Sequence, residues 1–163
     1  MDRLSFTVPG EPVPWQRAGL SGTRHYTDAA TRGYAKLVRD TAALAMRGAA
    51  PFTGACAVSV VAYLAIPRSW GLKRARMAVS GAEKPKSKPD CDNLAKGALD
   101  ALGAKPKRGK RRHAEPGIVW NDDAQVTELR IVKRYSDTPR LEVSVVHLEA
   151  KERGVEIIKT EAA

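Results

Sequence analysis

Ala57-Val58-Ser59-Val60-Val61-Ala62-Tyr63-Leu64-Ala65-Ile66 is the stretch on which the fold turns. Val58, Val60, Ala62, Leu64 and Ile66 alternate along it, and Ala57, Val61 and Tyr63 between them are apolar as well. Successive side chains of a strand point to opposite faces, so apolar residues in both sets predict a strand covered on both sides, and therefore a central one. Pro67 ends it, and Pro51 to Gly54 turn into it.

Toward the N-terminus, Tyr34, Leu37, Val38, Thr41, Leu44 and Ala45 fall on one stripe of a helix, with Lys36, Arg39, Asp40 and Arg47 mostly outside. Thr27 or Asp28 would cap this helix, and Gly48 would stop it just past Arg47. Leu4, Phe6 and Val8 alternate with Ser5 and Thr7 as a half-buried strand that Pro9-Gly10 ends. Residues 15–28 read as an extended loop whose Arg17 and Arg24 are candidate phosphate contacts.

Toward the C-terminus, residues 67–88 are polar, basic and rich in breakers, which predicts a mobile flap with room for a short helix near 70–80. Leu94, Ala95, Ala98, Leu99 and Leu102 recur at helical spacing, so a helix from Asp92 to Leu102 lays one face on the sheet and Gly103 closes it. Val126–Tyr135 and Arg140–Leu148 alternate and predict a hairpin around Ser136-Asp137-Thr138-Pro139. The expected fold is α/β in the α+β sense: a small, mostly antiparallel or mixed sheet of about four strands with helices packed against it. The 163 residues suit one domain over 1–150, with a flexible basic loop at about 103–117 and a charged tail over 151–163.

Several classes of function are set aside by composition. No apolar run is long enough to cross a membrane, and the first residues lack the apolar region of a signal peptide. Cys56 and Cys91 are too few for a disulfide framework or a cysteine-based zinc site and fit free thiols in a reducing cytoplasm. His25, His113 and His147 show no metal-ligand spacing, and no serine–histidine pair or phosphate-binding glycine loop is present. At 6% aromatic residues, stacking on bases is not expected to be the main binding mode.

Charge is more informative. Residues 67–112 hold 14 of the 28 Lys and Arg but only four acids, Glu83, Asp90, Asp92 and Asp100, so the whole net charge of +10 lies there and the remainder balances. Lys88, Lys105, Lys107, Arg108, Lys110, Arg111 and Arg112 make this region a candidate surface for a polyanion.

Two acidic clusters interrupt that field: Asp90-Cys91-Asp92, followed by Lys96, and Trp120-Asn121-Asp122-Asp123. Acids gain nothing beside phosphates in a protein that only binds them. Phosphodiester hydrolysis, in contrast, needs an activated water and neutralisation of the leaving oxygen, which magnesium held by carboxylates supplies. If the chain is extended ahead of the helix, Asp90 and Asp92 point the same way, and Asp122 or Asp123 adds a third carboxylate if the clusters meet. Lys96, one turn on, is placed to face the phosphate. The bland alternative makes Asp90 or Asp92 a helix cap and Lys96 a surface partner.

Taken together, Asp90-x-Asp92-Asn93-Leu94 with Lys96, the helix ending Leu99-Asp100-Ala101-Leu102, Val119-Trp120-x-Asp122-Asp123-x-Gln125-Val126, Val132-Lys133-Arg134, and the opening Phe6-Thr7-Val8-Pro9-Gly10 with Pro12, Arg17 and Tyr26-Thr27 resemble the RusA-type Holliday junction resolvases, common in bacterial prophages. The similarity runs over nearly all of residues 4–148. It implies a cytoplasmic homodimer that cuts four-way DNA junctions by paired symmetric nicks in recombination and repair, with magnesium as cofactor and manganese as its substitute. Carried over by position, the essential carboxylates are Asp90, Asp92 and Asp123, with Asp122 the alternative, and the essential lysine is Lys96. Pro89 stands where some members are basic, and the segment from Gly103 to Gly117 is longer and more basic than a short family connection. Competing readings are a non-catalytic basic DNA-binding module and a metal-dependent nuclease acting on other branched DNA or on RNA.

Overall fold

The computed structural model describes residues 2–16, 19–21, 24–26, 28–104 and 116–148, the two short stretches at 19–26 by backbone only. Its elements are β1 (Arg3–Pro9), β2 (Gly19–Ser21), β3 (Arg24–Tyr26), α1 (Ala29–Met46), β4 (Ala55–Ala65), α2 (Leu72–Val79), α3 (Cys91–Leu102), β5 (Val126–Ser136) and β6 (Arg140–Leu148). A single turn of tighter helix, Asp123–Gln125, leads into β5. β2 and β3 form a small antiparallel ribbon where the sequence reads as an extended loop. Among the described residues no helix is long and apolar enough to cross a membrane.

The main sheet is four-stranded and mixed, in the order β1-β6-β4-β5. β4 is central, as its composition predicts. The predicted hairpin is not formed: β5 runs parallel to β4, with Val60 opposite Ile131, while β6 lies on the other side of β4, antiparallel, with Val60 opposite Val143. The short link at 137–139 therefore passes over the end of β4 and carries the chain two strand positions across, roughly 9–10 Å at the usual inter-strand spacing. β6 pairs on its far edge with β1, Phe6 opposite Val143.

Among the described residues the sheet is covered on one face only, so the two-sided cover expected of β4 is not found. Leu4, Phe6 and Val8 of β1, Val58, Val60, Ala62 and Leu64 of β4, and Leu141, Val143 and Val145 of β6 are buried together. Val38, Ala42 and Met46 of α1 and Leu94, Ala98, Ala101 and Leu102 of α3 close over them. Each such side chain contributes about 1.5–3 kcal/mol when withdrawn from water, less for alanine. The other set on β4, Ala57, Ser59, Val61 and Tyr63, is half-buried rather than covered, with the Arg140 guanidinium 3.7 Å above the Tyr63 ring.

α1 also turns differently from its expected stripe. Thr31, Val38, Ala42 and Met46 face the core, while Leu37 and Leu44 are 39% and 79% exposed. Asp28 is the cap, accepting from Ala30 N and Thr31 N at 2.9 and 3.3 Å. Arg39, expected outside, is half-buried. Its guanidinium donates to Ala101 O and Gly103 O at 3.2 and 2.8 Å and to Pro116 O at 2.9 Å. It thereby satisfies carbonyls left open at the end of α3 and holds the two borders of the segment between 104 and 116 to α1. α2 stands in the basic stretch as an eight-residue helix with Ala78 buried, beside a contact of Trp70 with Tyr135 at 5.0 Å.

Candidate functional site

α3 carries the first acidic cluster at its start. Asp90 is the last extended residue, φ −77° and ψ 148°, and its carbonyl oxygen accepts from Leu94 N at 3.1 Å. A residue in this position ordinarily caps the helix with its side chain; the Asp90 carboxylate makes no such bond. Asp92 lies in the first turn and is exposed. Neither carboxylate makes a hydrogen bond or ion pair among the described residues. The approach to Asp90 is held from β5, where Lys133 Nζ donates to Ser87 O at 2.9 Å and Pro89 O at 2.8 Å.

A second support comes from the loop after β1. Trp15 N donates to Asn93 O at 2.9 Å. Gly97 allows this approach, since a Cβ there would stand 3.3 Å from Trp15 N. The indole lies under Lys96, whose Nζ is 5.1 Å from the ring centre. Lys96 does not pair with Asp92. It is directed toward the other end of α3, to Asp100 at 3.2 Å.

The second cluster is built on a core tryptophan. Trp120 is fully buried. Ile118 N and Val119 N donate to Leu102 O at 3.0 and 3.1 Å, and Val119 O accepts from Phe52 N at 2.8 Å. Gly117 is required by the path of the chain, because a Cβ there would collide with the Trp120 carbonyl. Asp122 caps the short helix, accepting from Ala124 N at 3.0 Å. Gln125 works in both directions: Oε1 accepts from Asn121 N and Asp122 N at 3.1 and 3.2 Å, and Nε2 donates to Phe52 O and Gly54 O at 2.8 and 3.0 Å. Asp123 is exposed, and its carboxylate has no hydrogen bond or ion pair among the described residues.

Asn121, Asp122 and Asp123 share a hollow of about 330 Å³ with Leu99, Asp100, Gly103 and Ala104, at the last turn of α3. Asp90 opens on a different hollow, of about 510 Å³, with Glu11, Trp15, Lys88 and Asn93. Asp92 and Asp100 are eight residues apart on α3, ~12 Å of rise at 1.5 Å per residue. The two clusters thus lie along one helix, toward opposite ends, and are not gathered. Among the described residues no group of three or more His, Cys, Asp or Glu could hold a metal ion as it stands. The donors themselves suit a hard cation: carboxylate oxygens at Asp90, Asp92 and Asp123, none engaged by another described residue.

Of the expected DNA contacts, Lys88 is exposed beside Asp90, and Arg24 lies on β3 with its side chain undescribed. Arg17, Lys105, Lys107, Arg108, Lys110, Arg111 and Arg112 lie outside the described residues. Four contributors to the site have no role assigned from the sequence: Trp15, Arg39, Gln125 and Lys133. Gln125 and Lys133 stand in the motifs that carry the family resemblance, and Gln125 also has a physical signal, as the third residue after a capping aspartate.

The family model described as endodeoxyribonuclease RusA matches residues 9–146. An uncharacterized protein of Bacillus subtilis (strain 168), YqaN, is 34% identical over 155 residues, which span 92% of this chain and all of that protein.

Proposed function

Since this chain belongs to the RusA endodeoxyribonuclease family, and so to nucleases that act on branched DNA with a divalent metal, we propose that it is a homodimeric resolvase of four-way DNA junctions, using magnesium for which Asp90, Asp92 and Asp123 supply the carboxylates once the two clusters, apart in this structure, are drawn together. One observation carries the assignment of residues. Of the described acids in and between the two clusters, Asp122 is engaged as a cap and Asp100 as the partner of Lys96, while the carboxylates of Asp90, Asp92 and Asp123 have no partner among the described residues. An aspartate at a helix start that does not cap the helix is poorly explained by the reading in which the acids are purely structural.

A bound magnesium ion supplies charge neutralisation at the phosphate and an activated water. The chain's own groups do the rest. Asp90 and Asp92 present oxygen donors from a helix start that Lys133 and Trp15 fix from either side. Asp123 presents another from a loop fixed by Trp120 and Gln125. Lys96 supplies a positive charge between them, balanced by Asp100 until a phosphate arrives. Lys88 and the basic residues from Lys105 to Arg112 attract the DNA arms. A two-fold dimer would place two such sites on a two-fold junction.

The test is incubation of a synthetic four-way junction with the full-length protein and magnesium, manganese, calcium or chelator. Linear duplex, flap and RNA substrates stand beside it. Paired symmetric nicks on the junction, with magnesium or manganese only, are expected. Binding without cutting under every cation would favour the non-catalytic module, and preferential cutting of flaps or RNA would make the protein a different metal-dependent nuclease.

A further inference from the structure

Exposed apolar side chains gather on one short helix. Among the described residues seven large apolar side chains are exposed, and three of them, Leu72, Met77 and Val79, stand on the eight residues of α2. Leu72 and Val79 are 79% and 61% exposed. Apolar residues scattered singly over a surface need no explanation, but a group on one element marks a surface that something covers. Leu72, Arg76 and Val79 are spaced by four and three residues and so line one side of the helix, with Met77 off that line. Another side, with Ala78 and Arg74, faces the protein. There Trp70 meets Tyr135 edge-on at 5.0 Å, and the Arg74 guanidinium lies 3.7 Å over Trp70 and pairs with Glu83 at 3.0 Å. Tyr135 and Lys133, two residues apart, are on the same face of β5. Lys133 grips Ser87 O and Pro89 O just ahead of Asp90. α2 and the approach to Asp90 thus rest on neighbouring points of one support.

Charge selects the occupant. Residues 67–88 hold seven Lys and Arg against Glu83 alone, and Glu83 is already paired. A second copy of the chain would bring the same excess of like charge, whereas a polyanion is attracted. Phosphates gain nothing from Leu72 and Val79, however, so the polyanion must also offer an apolar surface. Stacked duplex hides the faces of its bases. At a branch point the last base pair of an arm loses its stacking neighbour and shows one face. Leu72 and Val79 are ~10.5 Å apart along the axis at 1.5 Å per residue, close to the width of a base pair, and the planar guanidinium of Arg76 between them can stack on a base. We propose that α2 lies across the open base pair at the branch point of a DNA junction and covers its face with Leu72, Arg76 and Val79. The inference rests on the junction reading above. Apolar side chains on basic elements cover unstacked bases in this way where DNA is kinked. α2 would then separate branched DNA from linear duplex, while the surrounding lysines hold both.

The test uses the full-length protein and the double variant Leu72→Gln with Val79→Gln, which removes the apolar surface and keeps good helix formers. Affinity is measured in calcium for a four-way junction and for linear duplex of the same arm sequence. The parent is expected to favour the junction, and that preference should shrink about 10-fold in the double variant with duplex affinity unchanged. Its melting temperature should hold, because neither side chain is buried. Met77→Gln, off the line, should keep the preference. Lys73→Gln with Lys84→Gln should weaken both substrates alike and flatten their salt dependence. An undiminished preference in the double variant overturns the proposal alone. Equal losses on junction and duplex together with a change of oligomeric state also overturn it, and would make the stripe a contact between copies. A parent that binds junction and duplex alike overturns both the proposal and the junction reading. A parent whose preference depends on Leu72 and Val79 but which cuts under no cation would refute the nuclease reading and leave the role of α2 standing.

Discussion

The two acidic clusters reach the surface by opposite constructions. The loop of Asp122 and Asp123 is pinned from below by a fully buried tryptophan and from the side by Gln125, whose amide makes four hydrogen bonds to main chain. The start of α3 has no such anchor beneath Asp90. It is held at a distance, through main-chain carbonyls gripped by Lys133 and through Trp15 N on Asn93 O. In the first construction one acid builds the loop and its neighbour is left over; in the second both acids are left over. Proximity in sequence therefore says little about shared role, and hydrogen bonding separates an acid that shapes the chain from one free to act on something else.

The sharpest way to break this comparison is to remove charge without changing shape. Asp90→Asn, Asp92→Asn and Asp123→Asn should each lower junction cutting by on the order of 100-fold or more, with binding kept or tightened because a negative charge facing phosphate is lost. Asp122→Asn should cut nearly as well as the parent, because asparagine caps a helix as well as aspartate does. A dead Asp122→Asn beside an active Asp123→Asn would exchange the two roles.

Gln125→Ala is next in size. It leaves two carbonyls and two amides of the loop without their partner and should cost about 2 kcal/mol or more in urea unfolding, with cutting falling in step as Asp123 loses its seat. Unchanged stability would mean that Trp120 alone holds the loop. Lys96→Ala should reduce turnover at saturation by about 10-fold and affinity much less, since one charge in a surface of +10 adds little attraction but acts where charge develops. Normal turnover with weakened binding would make Lys96 a docking residue. The smallest effect on chemistry is expected from replacing the six basic residues Lys105, Lys107, Arg108, Lys110, Arg111 and Arg112 by serine. Affinity for junction and duplex should fall alike and its dependence on salt should flatten, with the saturated rate little changed. An unchanged salt slope would take this segment off the DNA.

Much of this architecture was readable in advance, and the failures share a cause. Alternation in 4–8 and 141–145 marks strands and the side that faces the core, because burial leaves its mark on every second residue; in 57–66 the apolar residues on both sides mark the strand but predict two covered faces, where only the side of Val58, Val60, Ala62 and Leu64 is buried. It could not name each strand's neighbour. The short polar link at 137–139 suggested a hairpin because consecutive strands usually pair, yet β4 lies between β5 and β6. In α1 the leucines drew the inner stripe toward Leu37 and Leu44, whereas the smaller Ala42 and Thr31 with Val38 and Met46 let the helix sit close to the sheet. The charge of Arg39 predicts an outward place, but its reach lets a half-buried guanidinium meet three carbonyls. The aspartates were legible as a pattern. Which of them was already engaged became visible only with the hydrogen bonds in place.

The position of β6 also bears on how the molecule comes into being. Translation delivers β1 first and β4 midway, each with an apolar face. The strand that must stand between them, residues 140–148, follows only after β5. Until it leaves the ribosome, β1 has no partner in the main sheet and β4 can pair along one edge alone. Pairing the first strand with the last to be made is slow for entropic reasons, and the waiting edges invite association with other chains. A message interrupted shortly before codon 140 would therefore yield neither half a nuclease nor a weaker one, but an open sheet prone to aggregate.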